Sequence, residues 1–138
     1  MGISSIVVGI DGSETSYRAF AMAVGFAVRD QGCVHACFVA HVPGAAAIGG
    51  FFAPVPLIAD TESDERLARF VTEELYEAHI GGDFTCRSGE IGNELELLAE
   101  TFKADLIVVG RSAHPHLHLG GVPRQLLGRG NFPILVVP

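Results

Sequence analysis

The chain has 138 residues, of which 49% are hydrophobic and 18% charged, enough apolar material to bury one core without metals or disulfides. This composition excludes a disordered chain, and the formal net charge of -7, with Lys103 the only lysine, argues against nucleic-acid and anionic-membrane partners. Cys33, Cys37 and Cys86 are odd in number and lack C-x-x-C spacing, so they are read as buried thiols in a reducing compartment, with a catalytic cysteine as the alternative.

In chain order, "MGISSIVVGID" lacks a basic region followed by a long apolar run, so it is read as a first strand over Ile6 to Ile10 and not a signal peptide. Ser13 is the expected N-cap of a helix whose stripe is Ala19, Phe20, Ala23, Val24, Phe26 and Ala27, with Gly32 at its stop. A second strand covers Cys33 to Val42. After an unusually apolar connection from Pro43 to Asp60, Leu67, Val71, Leu75 and Ala78 keep a helical period that Gly81-Gly82 is expected to end. Phe84 to Ser88 is a third strand, and Asn93 the expected cap of a helix carrying Leu95, Leu98, Ala99 and Phe102. Leu106 to Val109 and Ile134 to Val137 are strands on either side of a short helix from about Gly121 to Gly128, with Pro123 in its first turn. No apolar stretch reaches membrane-span length without Gly, Pro or charge, so the expectation is a soluble cytoplasmic protein.

Strands that alternate with helices, several of them continuously apolar, imply a doubly wound α/β fold: one Rossmann-like domain over residues 1–138, with a five-stranded parallel sheet and helices on both faces. Such a sheet reverses its strand order once, and a crevice opens there at the carboxyl ends of the strands. The segments "GIDGS" and "VVGRS" end the strands at that place. Asp11 is either a turn aspartate or an acceptor for ribose hydroxyls or a base amino group, since an ionised carboxylate only accepts hydrogen bonds. Phosphate would then be held by Gly110, Gly120 and Gly121, whose backbones approach closely and whose following helix offers free N–H groups; the alternative is that they are ordinary turn glycines. A Walker loop is excluded because Lys103 precedes the fourth strand, and "GIDGSETS" lacks the third glycine of G-x-G-x-x-G. His114, His116 and His118 alternate and would share one face of an extended segment. They are read as a metal site, as a phosphate contact or as solvent-exposed loop histidines. Ser13 beside Asp11 is read as a cap, not a nucleophile.

Four blocks resemble the universal stress protein family over essentially the whole chain: "IVVGIDGSETSYRAF", "AHV", "GEIGNELELLAETFKADLIVVG" and "GGVPRQLLGRGNFPILVVP". The resemblance implies a homodimer paired through the last strand, Phe132 to Val137, which would otherwise be a bare apolar edge. It also implies one of two subtypes, one binding ATP through G-x2-G-x9-G-[S/T] and one not binding it. Gly110 matches the first glycine, but Ala113 stands at the second, six residues separate Ala113 from Gly120, and Gly121 replaces the Ser/Thr. Asp11 and Val42 match the binding subtype. The expected ligand is an adenine nucleotide (ATP, ADP or AMP), with or without magnesium, on an altered phosphate loop. The rival readings are a non-nucleotide dimeric interaction module and metal binding through the three histidines. Nothing orients a water or neutralises a leaving group, so ATP hydrolysis is expected to be very weak or absent.

Overall fold

A computed structural model describes residues 2–41, 61–111 and 121–138. Five strands, β1 (Ser5–Gly9), β2 (Cys33–His41), β3 (Gly81–Gly89), β4 (Leu106–Gly110) and β5 (Ile134–Val137), form one sheet in the order β3-β2-β1-β4-β5. All four strand pairs are parallel, in the register Ser5↔Cys33, Ile6↔Leu106, Cys33↔Gly81 and Ile107↔Ile134. The order reverses between β1 and β4, as expected for a doubly wound sheet.

The helices α1 (Glu14–Asp30), α2 (Thr61–Glu77), α3 (Ile91–Thr101) and α4 (Val122–Arg129) cover both faces. Alternation along the central strands explains why. Ile6, Val8 and Ile10 point to one side and pack with Ala19, Phe20, Ala23 and Ala27 of α1 and Leu67, Val71 and Leu75 of α2. Val7, Ile107 and Val109 point to the other, against Leu95, Leu98 and Ala99 of α3 and Leu126 of α4. A strand buried on both faces has no polar phase, which is why β1 and β4 are continuously apolar. Phe70 of α2 links the two helices of the first layer through Tyr17, edge-on at 4.9 Å, and Phe20 at 5.6 Å.

Several boundaries depart from the sequence reading. Gly81 and Gly82 do not end α2; they open β3, and the helix ends where His79 takes φ 56° and Ile80 N–H reaches back to Leu75 O. Gly82 is a glycine because a Cβ there would lie 1.9 Å from Val34 O of the neighbouring strand. Asn93 does not cap α3, which starts two residues earlier after Glu90; its Oδ1 instead accepts from Arg129 Nη1 at 3.3 Å. Gln31, not Gly32, takes the left-handed cap of α1, and Gly32 serves the close approach of Ile3 O. The cysteines are not uniformly buried: Cys37 is, Cys33 is half-buried, and Cys86 is exposed because β3 is the sheet's outer strand.

Candidate functional site

The carboxyl end of β1 is built by one tight turn. Ile10 N–H donates to Cys37 O at 2.9 Å, carrying the ladder one residue past the strand. The chain then turns through Asp11, whose Oδ1 accepts from Ser13 N–H at 2.8 Å. Gly12 has φ +86°, a conformation that a Cβ opposes. Ser13 is the N-cap of α1, as expected: its Oγ accepts from Ser16 N–H at 3.3 Å, while Ser16 Oγ donates to Ser13 O at 2.8 Å. Asp11 N–H donates to Ser16 Oγ at 3.2 Å, which closes the turn onto the first turn of the helix. Asp11 is exposed, its carboxylate engaged by its own turn, and it lies just before the start of α1.

The end of β4 lies beside that turn. A Cβ on Gly110 would fall 2.6 Å from Thr15 C and 2.7 Å from Thr15 O, so glycine here is what allows α1 to sit on β4. The missing side chain of Gly110 is thus used by the protein's own backbone. Thr15 Oγ1 donates to Arg111 O at 2.7 Å, and Arg111 N–H donates to Val137 O at 2.7 Å, so the strand end is gripped from both sides.

Gly121 is the N-cap of α4, and its carbonyl accepts from Arg124 N–H at 2.9 Å and Gln125 N–H at 3.2 Å. It does so at φ -47°, with no left-handed requirement. The helix is anchored from its far end. Glu96 of α3, buried, accepts from Arg129 Nη1 at 3.1 Å and from Asn131 Nδ2, and Gln125 Oε1 accepts from Gly92 N–H at 3.3 Å. The sequence reading missed this anchor, because a glutamate on an amphipathic helix looks like any solvated one until its partners 33 and 35 residues away are placed.

Of the residues singled out from sequence, the fold brings Asp11 and Gly110 to neighbouring strand ends at the reversal in strand order, and places Gly121 at a helix amino end. Val42, Ala113, Gly120 and the histidines His114, His116 and His118 lie outside the described residues. Among the described residues no group of three His, Cys, Asp or Glu side chains is placed to hold a metal ion, and no helix is long and apolar enough to cross a membrane.

The profile of the Universal stress protein family matches residues 2–138. The chain belongs to the universal stress protein family. No curated protein sequence matches it. Among solved structures, a universal stress protein in complex with cAMP superposes with a TM-score of 0.72 at 25% identity, covering 99% of this chain and 98% of that one. A universal stress protein family member from Burkholderia pseudomallei gives a TM-score of 0.77 at 22% identity, with 99% and 96% covered. The Archaeoglobus fulgidus universal stress protein in complex with dAMP gives 0.67 at 20% identity, with both chains fully covered at 100%. The last two establish the shared universal stress protein fold.

Proposed function

We propose that this universal stress protein binds an adenine nucleotide (ATP, ADP or AMP) at the carboxyl ends of β1 and β4. The observation that carries the reading is the Asp11-Gly12-Ser13 turn, which holds an exposed aspartate just past the end of β1, where strand order reverses. The cAMP complex of the 25%-identical relative supports it. In this reading Asp11 accepts from the nucleoside, Val42 packs the base, and Gly110, Gly120 and Gly121 approach the phosphates through backbone, with Arg111 beside them. Magnesium is an accessory of the polyphosphate forms.

Nucleotide released from freshly purified, denatured protein is the first test. Titration calorimetry with ATP, ADP and AMP, with and without magnesium, is the second. Binding should weaken at least about tenfold in Asp11→Ala, the loss of one charge-assisted hydrogen bond to a ligand. No co-purified nucleotide and no heat at millimolar ligand would sink the proposal.

We further propose a homodimer through Phe132 to Val137. β5 is an outer strand, and Val136 on it and Leu127 of the preceding helix are large exposed apolar side chains. A monomeric mass in sedimentation at micromolar concentration would contradict this. The three free thiols suit a reducing compartment, and we propose the cytoplasm.

A further inference from the structure

The amino end of the sheet, opposite the nucleotide crevice, holds a thiol, an imidazole and a carboxylate in series. Cys33 opens β2, and His35 is two residues on, hence on the same face. Asp83 of β3 is the register partner of His35. His35 Nδ1 lies 3.1 Å from Asp83 Oδ1, and His35 Nε2 lies 3.4 Å from Cys33 Sγ. The imidazole is clamped against Phe102, just past the end of α3, with ring centroids 3.6 Å apart and planes 6° from parallel. An ionised carboxylate can only accept, so Asp83 selects the tautomer with hydrogen on Nδ1. The Nε2 lone pair then faces the thiol. This is the arrangement in which a base oriented by a third group takes the proton of a nucleophile.

We propose that Cys33 is a reactive thiol that exchanges with low-molecular-weight disulfides, with His35 as its proton acceptor and Asp83 as the residue positioning the imidazole. The thiol proton passes to His35 Nε2, and the thiolate attacks one sulfur of the disulfide R–S–S–R. A Cys33–S–S–R bond forms as the R–S–S–R bond breaks, and the departing thiolate takes the proton from the imidazolium and leaves as RSH. The Cys33 sulfur is oxidised and one sulfur of the reagent reduced, so no other oxidant is required.

The product is a mixed disulfide that nothing within the chain resolves. Cys37 is four residues along the same strand, about 13 Å away, and Cys86 pairs in register with Phe38, farther still. Both separations exceed the reach of a disulfide. The other thiols also differ chemically: burial pushes Cys37 up to about 12, and burial, with the Asp64 carboxylate adding to it, raises Cys86. Among the described residues, Asp83 of β3 is the charged group bonded to His35, while Asp105 is bonded to Ser4 where β1 begins and Lys103 follows Phe102 in sequence. Ser4 O, 3.4 Å from Cys33 Sγ, is a second acceptor for the protonated thiol.

The test uses the reduced full-length protein and oxidised glutathione, with each cysteine followed by peptide mass spectrometry. Cys86 is the internal control, because it is more exposed and access alone would favour it. Glutathionylation at Cys33 should run at least about tenfold faster than at Cys86. Both His35→Gln and Asp83→Asn should slow Cys33 and leave Cys86 unchanged. Asp83 is 46% exposed on an outer strand, so its variant decides the matter should His35→Gln fail to fold. Equal or slower modification at Cys33, or a Cys33 rate untouched by Asp83→Asn, overturns the proposal.

Discussion

The two ends of the sheet use the same interaction, a carboxylate accepting backbone N–H groups, to opposite effect. At the carboxyl end Asp11 bonds Ser13 N–H, two residues away, and so shapes a turn. At the amino end Asp105 Oδ2 accepts Ser4 N–H at 2.8 Å, Ser4 Oγ at 2.9 Å and Ser5 N–H at 3.1 Å, across about a hundred residues of chain. Asp30 Oδ2 likewise accepts Ile3 N–H at 2.8 Å. The local carboxylate shapes one turn, whereas the distant ones tie the entry of β1 to α1 and to the start of β4. The amino end of β1 is thus held by contacts distant in sequence, and its carboxyl end by a local turn.

The largest effect that would break this contrast is at Gly110. Gly110→Ala forces a methyl into the backbone of Thr15, and overpacking of this kind should cost about 2–3 kcal/mol in urea unfolding. A loss well under 1 kcal/mol would show that α1 does not depend on that contact. Asp105→Ala should come next, at about 1 kcal/mol, since it removes three charge-assisted bonds from an exposed site where solvent replaces part of them. Gly12→Ala has open space for its methyl but the wrong φ, so about 0.5–1 kcal/mol is expected, together with a weaker nucleotide titration.

The smallest effect at neutral pH, and the one that sharpens the comparison most, is acid titration. The Arg29 guanidinium and then Ile3 N–H hold Asp30 down at about 2, and Ser4 backbone, Ser4 hydroxyl and Ser5 backbone lower Asp105. Both carboxyls are depressed on folding, so their stabilisation is complete above an ordinary carboxylate value near 4. It is lost as pH falls towards about 2. Urea midpoints measured from pH 5 to pH 2 should fall, and the double variant Asp30→Asn, Asp105→Asn should flatten that slope. An unchanged slope in the double variant would place the acid sensitivity elsewhere.

Much of the fold was legible because its signals are local. The runs of β1 and β4, the Ser13 cap and the stripe of Ala19, Phe20, Ala23 and Ala27 each depend on neighbours within one element. The misreadings have the opposite character. Gly81-Gly82 resembles a helix stop until β2 is placed beside it, and Asn93 resembles a cap until Arg129 arrives from 36 residues away.

By itself, then, the chain's pattern of apolar runs, caps and glycines determined a parallel doubly wound sheet and the position of the Asp11 turn at the carboxyl end of its first strand, because side-chain period and turn chemistry act over a few residues. Only tertiary structure decided that Gly110 serves the packing of α1, that Glu96 anchors α4, and that Cys33, His35 and Asp83 meet. Those facts depend on strand register and on contacts between elements far apart in sequence, which no local pattern specifies.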